Sequence, residues 1–179
     1  MKRTLCAILA VAIVGIGLVG CQKQTKDGYT TVKSKTCDFT IDRPDSWKVA
    51  HTDGMISIYN PEDISKANIS AFSFYHNLDE APSAKDCWKT YKEQLSATYG
   101  KVTVNEEKET KLDGQPAILC DYTVSIGNED FSCETVLSVV GQQAYTVTLT
   151  QGARGDPVQE NYNDHSDEFA SIVKTFRFK

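Results

Sequence analysis

The chain has 179 residues, a formal net charge of −5, 40% hydrophobic and 24% charged residues, which fits one domain plus a short extra segment. No period of about 20–50 residues repeats, which excludes a solenoid or a propeller. The acidic balance excludes most nucleic-acid partners, because such binding rests on neutralising phosphates.

The chain opens with Lys2 and Arg3, followed by an uncharged apolar run from Leu5 to Val19. Spanning a bilayer as a helix takes about 20 apolar residues, so this shorter run ending in small residues reads as a secretory signal. A short uncleaved anchor helix is the alternative. Leu18, Val19, Gly20 and Cys21 resemble the lipobox of bacterial lipoproteins. The resemblance implies diacylglycerol on the Cys21 thiol, cleavage before Cys21 and acylation of the new amino terminus. Two or more acyl chains anchor a protein stably, whereas one does so only marginally. The expected organisation is a signal at 1–20, a lipidated cysteine with a flexible basic linker at 21–35, and a domain at 36–179. The linker carries Lys23, Lys26, Lys33 and Lys35 against Asp27, while residues 36–179 hold 13 Lys and Arg against 23 Asp and Glu. A basic leash suits an anionic lipid surface; a merely solvated linker is the plainer reading.

Within the domain, Cys37, Phe39 and Ile41 alternate as a strand does, and "DRPDSW" makes a turn around Pro44. Two short strands, "WKVA" and "MISIYN", flank the "HTDG" turn, and "NPED" then breaks the chain. "ANISAFSFY" is a longer strand. A helix follows over residues 83–100. Ser83 and Asp86 make its capping box, Ala84, Cys87, Trp88, Tyr91, Leu95 and Thr98 make its buried stripe, and Gly100 ends it. "KVTVNEEKETKL" has the polar composition of an edge strand. Turns at "DGQ", "GNED" and "GQQ" separate three further long strands into an antiparallel meander. After the "QGARGDPV" loop, a second helix is capped by Asn163 or Asp164, with Asp167 and Glu168 at its positive end. Phe169, Ile172, Val173 and Phe176 form its apolar stripe, and "FRFK" is a last strand. Runs of strands with two helices indicate an α+β fold, an antiparallel sheet covered by helices rather than a doubly wound parallel one.

With Cys6 removed and Cys21 lipidated, Cys37, Cys87, Cys120 and Cys133 remain. An even number in an exported domain suggests two disulfides. Cys120–Cys133 and Cys37–Cys87 are the preferred pairs, the first across a hairpin in which Cys120 faces Cys133 and Tyr122 faces Phe131. The alternative is four buried free thiols. No C-x-x-C motif and no zinc spacing occurs.

The order of "FTIDRPDSW", "ISIYNPED", "ANISAFSF", one helix, a three-strand meander and a terminal "DEFASIVKTFRFK" resembles the PsbP family over residues 36–179. That family comprises extrinsic photosystem II proteins and their bacterial relatives, and its fold is shared by a Ran-binding import factor. Ser46 stands where the family usually has Gly before the Trp. The resemblance implies the α/β/α sandwich and no particular function.

Candidate chemistry is sparse. His51, His76 and His165 form no paired metal spacing. Asp164, His165 and Asp167 could gather a divalent ion, but acids there also suit a helix start. Cys87 lies on an apolar helix face without a neighbouring base. Asp42, Asp45, Asp53 and Asp63 read as turn formers. Trp47 and Trp88 read as core, or as a groove lining beside Tyr59. No cofactor motif is present. The expectation is therefore a non-catalytic binding or assembly module, membrane-anchored through Cys21 on the extracytoplasmic face (cell surface or periplasm), with an envelope protein partner. The alternatives are a small-ligand or divalent-metal binder, or an enzyme with a pocket between sheet and helix.

Overall fold

The computed structural model describes residues 26–52, 54–62, 67–78, 81–152 and 164–179. The signal, Cys21, Asp53, Asp63 and Asn163 lie outside them. Strands β1 (Tyr29–Lys33), β2 (Phe39–Pro44), β3 (Lys48–Thr52), β4 (Met55–Tyr59) and β5 (Asn68–Tyr75) precede helix α1 (Ala84–Tyr99). Then come β6 (Val102–Leu112), β7 (Gln115–Ile126), β8 (Glu129–Val140), β9 (Gln143–Gly152), helix α2 (Ser166–Val173) and β10 (Arg177–Phe178).

Local chemistry sets most of these boundaries. Ser83 Oγ accepts from the Asp86 amide, and Asp86 Oδ2 accepts from the Ser83 amide at 3.0 Å, which closes the expected capping box. Leu112 pairs with Gln115, Ile126 with Glu129, and Val140 with Gln143. The meander therefore turns on two-residue loops, and Asp113, Gly114, Gly127 and Gly141 hold the positive φ that such loops require. At the start of β3, the Arg43 guanidinium donates to the carbonyls of Pro44, Asp45 and Trp47 at 2.6–3.0 Å. Ser46 is not among the residues with positive φ, so that turn does not need the Gly usual in the PsbP family.

Among the described residues, seven strands form one antiparallel sheet in the order β3-β4-β5-β9-β8-β7-β6. A second sheet, β1-β2-β10, lies apart from it. Helix α1 packs on β6, β7 and β8, burying Cys87 and Trp88 against Ile118, Cys120, Tyr122 and Leu137. The opposite face is covered by the small sheet and α2. There Phe39, Ile41, Phe169, Ile172 and Phe176 pack on Ile58, Ile69, Val147 and Leu149. Phe39 stacks on Phe176 at 5.0 Å. The α/β/α sandwich is thus present, with a small sheet sharing one outer layer with α2.

Two expectations need correction. The basic linker does not run to residue 35: residues 29–33 are β1. Val32 is buried opposite Ile41, and the hydroxyls of Thr30 and Thr31 donate to Asp45 and Asp42. The cysteines are free thiols, not two bridges. Because the turn centres on Gly127–Asn128, Cys120 faces Thr135 and Cys133 faces Tyr122. Cys120 and Cys133 are therefore diagonal neighbours, about 7–8 Å apart between Cα atoms, too far to bridge without backbone movement. Cys37 and Cys87 pack into different cores, with the large sheet between them.

Candidate functional site

The large sheet is wider than what covers it. Strands sit about 4.8 Å apart, and a helix is about 10–12 Å across, so one helix spans only two or three strands. Among the described residues, each face of the sheet therefore keeps an uncovered part. On the α1 side that part is β9, β5, β4 and β3. On the α2 side it is β6 and β7.

The α1-side groove has a volume of about 390 Å³, within the usual range of ligand pockets. Tyr91, Leu95 and Tyr99 of α1 form one wall; Phe72, Ile126 and Phe131 face them. Tyr99 is 50% exposed and Ile126 44%, although both are large and largely apolar. Phe74 stacks on Tyr91 at 5.6 Å, and Phe72 tilts against it at 6.4 Å. Burial pushes the Tyr91 hydroxyl up to about 12. A smaller space of about 160 Å³ continues toward the start of α1, beside Phe74, His76 and Gln94. His76 is fixed there: its Nδ1 accepts from the Leu78 amide, so Nε2 donates to the Gly141 carbonyl, both at 3.1 Å.

The floor is polar but uncharged. Pairing aligns Thr135, Thr148, Ser70 and Ser57 in one row across β8, β9, β5 and β4. The covered end is bonded internally, with Tyr122 Oη 3.0 Å from Thr135 Oγ1, and Thr135 Oγ1 2.8 Å from Thr148 Oγ1. Ser70 and Ser57 continue the row half-exposed. In the next row, Thr150 pairs with Asn68 and Asn68 with Tyr59. The side-chain oxygen of Asn68 is buried without a hydrogen-bond partner. Among the described residues on this half-face, the one charge is Lys48 at the sheet edge.

The α2-side cleft is larger, about 880 Å³. Leu119, Val136, Phe169 and Val173 give it an apolar floor, and Glu109, Lys111, Asp113, Glu134, Lys174 and Arg177 are among the residues of its lining. Asp113, at the tip of the β6–β7 hairpin, closes one end. Its carboxylate accepts from the Phe178 amide at 3.0 Å and lies 3.6 Å from the Arg177 guanidinium. At the other end, Ser166 Oγ lies within hydrogen-bond distance of the Glu134 and Asp164 carboxylates.

The residues singled out by sequence separate into structural roles. Trp88 is buried, and its indole donates to Glu107 Oε1 at 2.8 Å, with Lys92 3.8 Å from the same oxygen. Trp47 is buried edge-on to His165 at 5.4 Å, not in a groove. Asp164 accepts from the Ser166 amide at 3.0 Å, and His165 is the N-cap of α2. Among the described residues no three His, Cys, Asp or Glu side chains converge as a metal site. Burial pushes the thiols of Cys87 up, of Cys120 up to about 12 and of Cys133 up to about 11. Partial burial acts the same way on Cys37, but hydrogen bonds from Ser73, Thr36 and Ser34 outweigh it and leave that thiol below its ordinary value. The hydroxyl row escaped sequence reading. Its signal is "TVTLT", a central strand whose every second residue is Thr where a fully covered strand would carry apolar ones.

Solved structures share this architecture. Cyanobacterial PsbP (CyanoP) of Synechocystis sp. PCC 6803 is 12% identical over 90% of this chain and 99% of its own, with a TM-score of 0.61. The Ran-binding protein Mog1p of Saccharomyces cerevisiae is 10% identical over 84% of this chain and 95% of its own, at 0.59. PA94 of Pseudomonas aeruginosa, of unknown function, is 15% identical over 82% and 94%, at 0.54. The chain has a PsbP-like fold. No protein-family model and no curated protein matches its sequence. Among the described residues no helix is long and apolar enough to cross a membrane.

Proposed function

We propose that this protein is a non-catalytic binding and assembly module, tethered by lipid on Cys21 to the extracytoplasmic face of a membrane, which docks an envelope protein in the α2-side cleft. The carrying observation is the cleft itself: an apolar floor with charges of both signs in its lining, the layout of a protein interface with a dry centre and polar edge. The likeness to a fold used by a Ran-binding protein supports a protein partner. Binding rather than catalysis is favoured by Cys87, buried beneath α1 with its thiol pushed up, where a nucleophile needs a lowered value and access.

Two measurements test this reading. Mass spectrometry of the amino-terminal peptide from the membrane fraction is expected to show diacylated Cys21; an unprocessed Met1 contradicts the tether. Quantitative co-purification from crosslinked cells compares the native chain with Val173→Asp and Ser57→Asp. The expected result is an envelope protein lost at least tenfold in Val173→Asp and kept in Ser57→Asp. Equal recovery with all three chains removes the cleft as the docking site.

A further inference from the structure

We infer that the uncovered half-face beside α1 binds a neutral saccharide. This goes beyond the protein docking proposed for the cleft, since it uses the other side of the sheet.

Three observations converge. First, among the described residues the groove lining holds no ionised side chain, in a chain of net charge −5. An ionic ligand would lose its hydration there with nothing of opposite sign to replace it. Second, the floor offers hydroxyls in register. Ser57, Ser70 and Thr148 occupy neighbouring strands, so they repeat at about 4.8 Å, the order of spacing between alternate hydroxyls on a pyranose ring. Each hydroxyl both donates and accepts, which matches the mixed donors and acceptors of a sugar. Thr150, in the adjacent row, adds a half-exposed hydroxyl. Third, aromatic rings stand beside the polar row: Phe72 and Tyr91 packed together, and Tyr99 half-exposed. The electron-rich face of an aromatic ring packs on the C–H face of a sugar while the sugar's hydroxyls reach the floor.

An alkyl chain would meet the walls equally well. It would also strip water from Ser57, Ser70 and Thr150 without replacing those hydrogen bonds, a cost that a hydroxyl-bearing ligand avoids. The half-face therefore favours the saccharide.

Full-length lipidated protein in nanodiscs, free of sugar detergents, is titrated calorimetrically with maltohexaose, cellohexaose and chitohexaose, and with hexagalacturonate as the acidic counterpart. The expected result is that at least one neutral hexasaccharide binds. Its affinity drops at least tenfold in Tyr99→Ala and in Ser57→Ala, and changes less than twofold in Val173→Asp. Both substituted side chains are partly or wholly exposed, so folding is not at stake; circular dichroism verifies it. No binding of any neutral hexasaccharide overturns the inference, as does preference for the acidic one. Binding indifferent to Tyr99→Ala and Ser57→Ala also overturns it. Uptake of the fluorescent fatty acid cis-parinaric acid without saccharide binding assigns the groove to an alkyl chain and overturns it too. Loss of the docked protein in Val173→Asp is read separately, so either proposal can fail while the other stands.

Discussion

The two uncovered half-faces lie on opposite sides and at opposite ends of one sheet, yet they differ in chemistry. Beside α1 the surface is hydroxyls and aromatic rings, with no charge among the described residues of its lining. Beside α2 it is an apolar floor with Glu109, Lys111, Asp113, Glu134, Lys174 and Arg177 in the lining. Geometry alone leaves both open, since a single helix cannot span seven strands. Composition alone separates them. A charged rim gives orientation and rejects wrong partners; an uncharged hydroxyl floor reads shape and hydrogen-bond pattern. A PsbP-like sandwich can therefore present two unrelated surfaces without altering its core.

The largest test breaks the frame of one surface. Trp88 is 1% exposed beneath α1, so Trp88→Ala is expected to cost about 3–5 kcal/mol in urea unfolding and to loosen the α1-side groove. Phe169→Ala, at 2% exposure on the other side, is expected to cost a similar amount and to loosen the cleft instead. Equal loss of both surfaces in either variant would mean that the two cores are not separable.

A smaller effect sharpens the same contrast. Asp113 ties the β6–β7 hairpin to β10 through the Phe178 amide and Arg177 while holding φ 46°. Asp113→Asn keeps the backbone preference and removes the charge. It is expected to cost about 1 kcal/mol and to weaken partner binding at the cleft, with the groove unaffected. Salt acts in the same direction. Raising ionic strength from about 0.1 M to 1 M shortens the screening length from about 10 Å to 3 Å, which is expected to weaken cleft binding and leave groove binding unchanged.

The cysteines give the smallest effects. The folded values of Cys120 and Cys133 are raised by burial from 9.0 to about 12 and about 11. The unfolded chain therefore loses these protons first. Their contribution to stability is complete below about pH 9 and falls as pH rises from there through the folded values; urea midpoints between pH 8 and 11 measure it. Timed alkylation at pH 8 is expected to label Cys37 first, since its thiol is lowered and partly exposed. Early labelling of Cys87 would show that α1 opens readily.

What the sequence disclosed was local. Ser83 and Asp86 announce α1 because a capping box needs only four adjacent residues, and Asp113–Gly114 announces a hairpin because the turn demands positive φ. β1 was missed because in "YTTVK" only Val32 is buried, too little for an alternating signal. The cysteine register failed by two positions because centring a turn on Gly127–Asn128 instead of one residue earlier shifts every partner across β7 and β8. The groove was hidden for a different reason: β5 and β9 are neighbours in space, yet the paired Asn68 and Thr150 lie 82 residues apart, with α1 and the meander's first strands between them. Ser57, Ser70 and Thr148 look like unrelated small polar residues until strand order lines them up.

The most direct test of two chemically distinct surfaces is photocrosslinking in intact cells from Val173 and Ser57 in parallel. A photoreactive residue at Val173 is expected to capture one envelope protein, with the yield reduced by high salt, while the same residue at Ser57 does not capture that protein. Capture of the same protein from both positions, or from Ser57 alone, would contradict the division of the sheet into a protein-docking cleft and an uncharged groove.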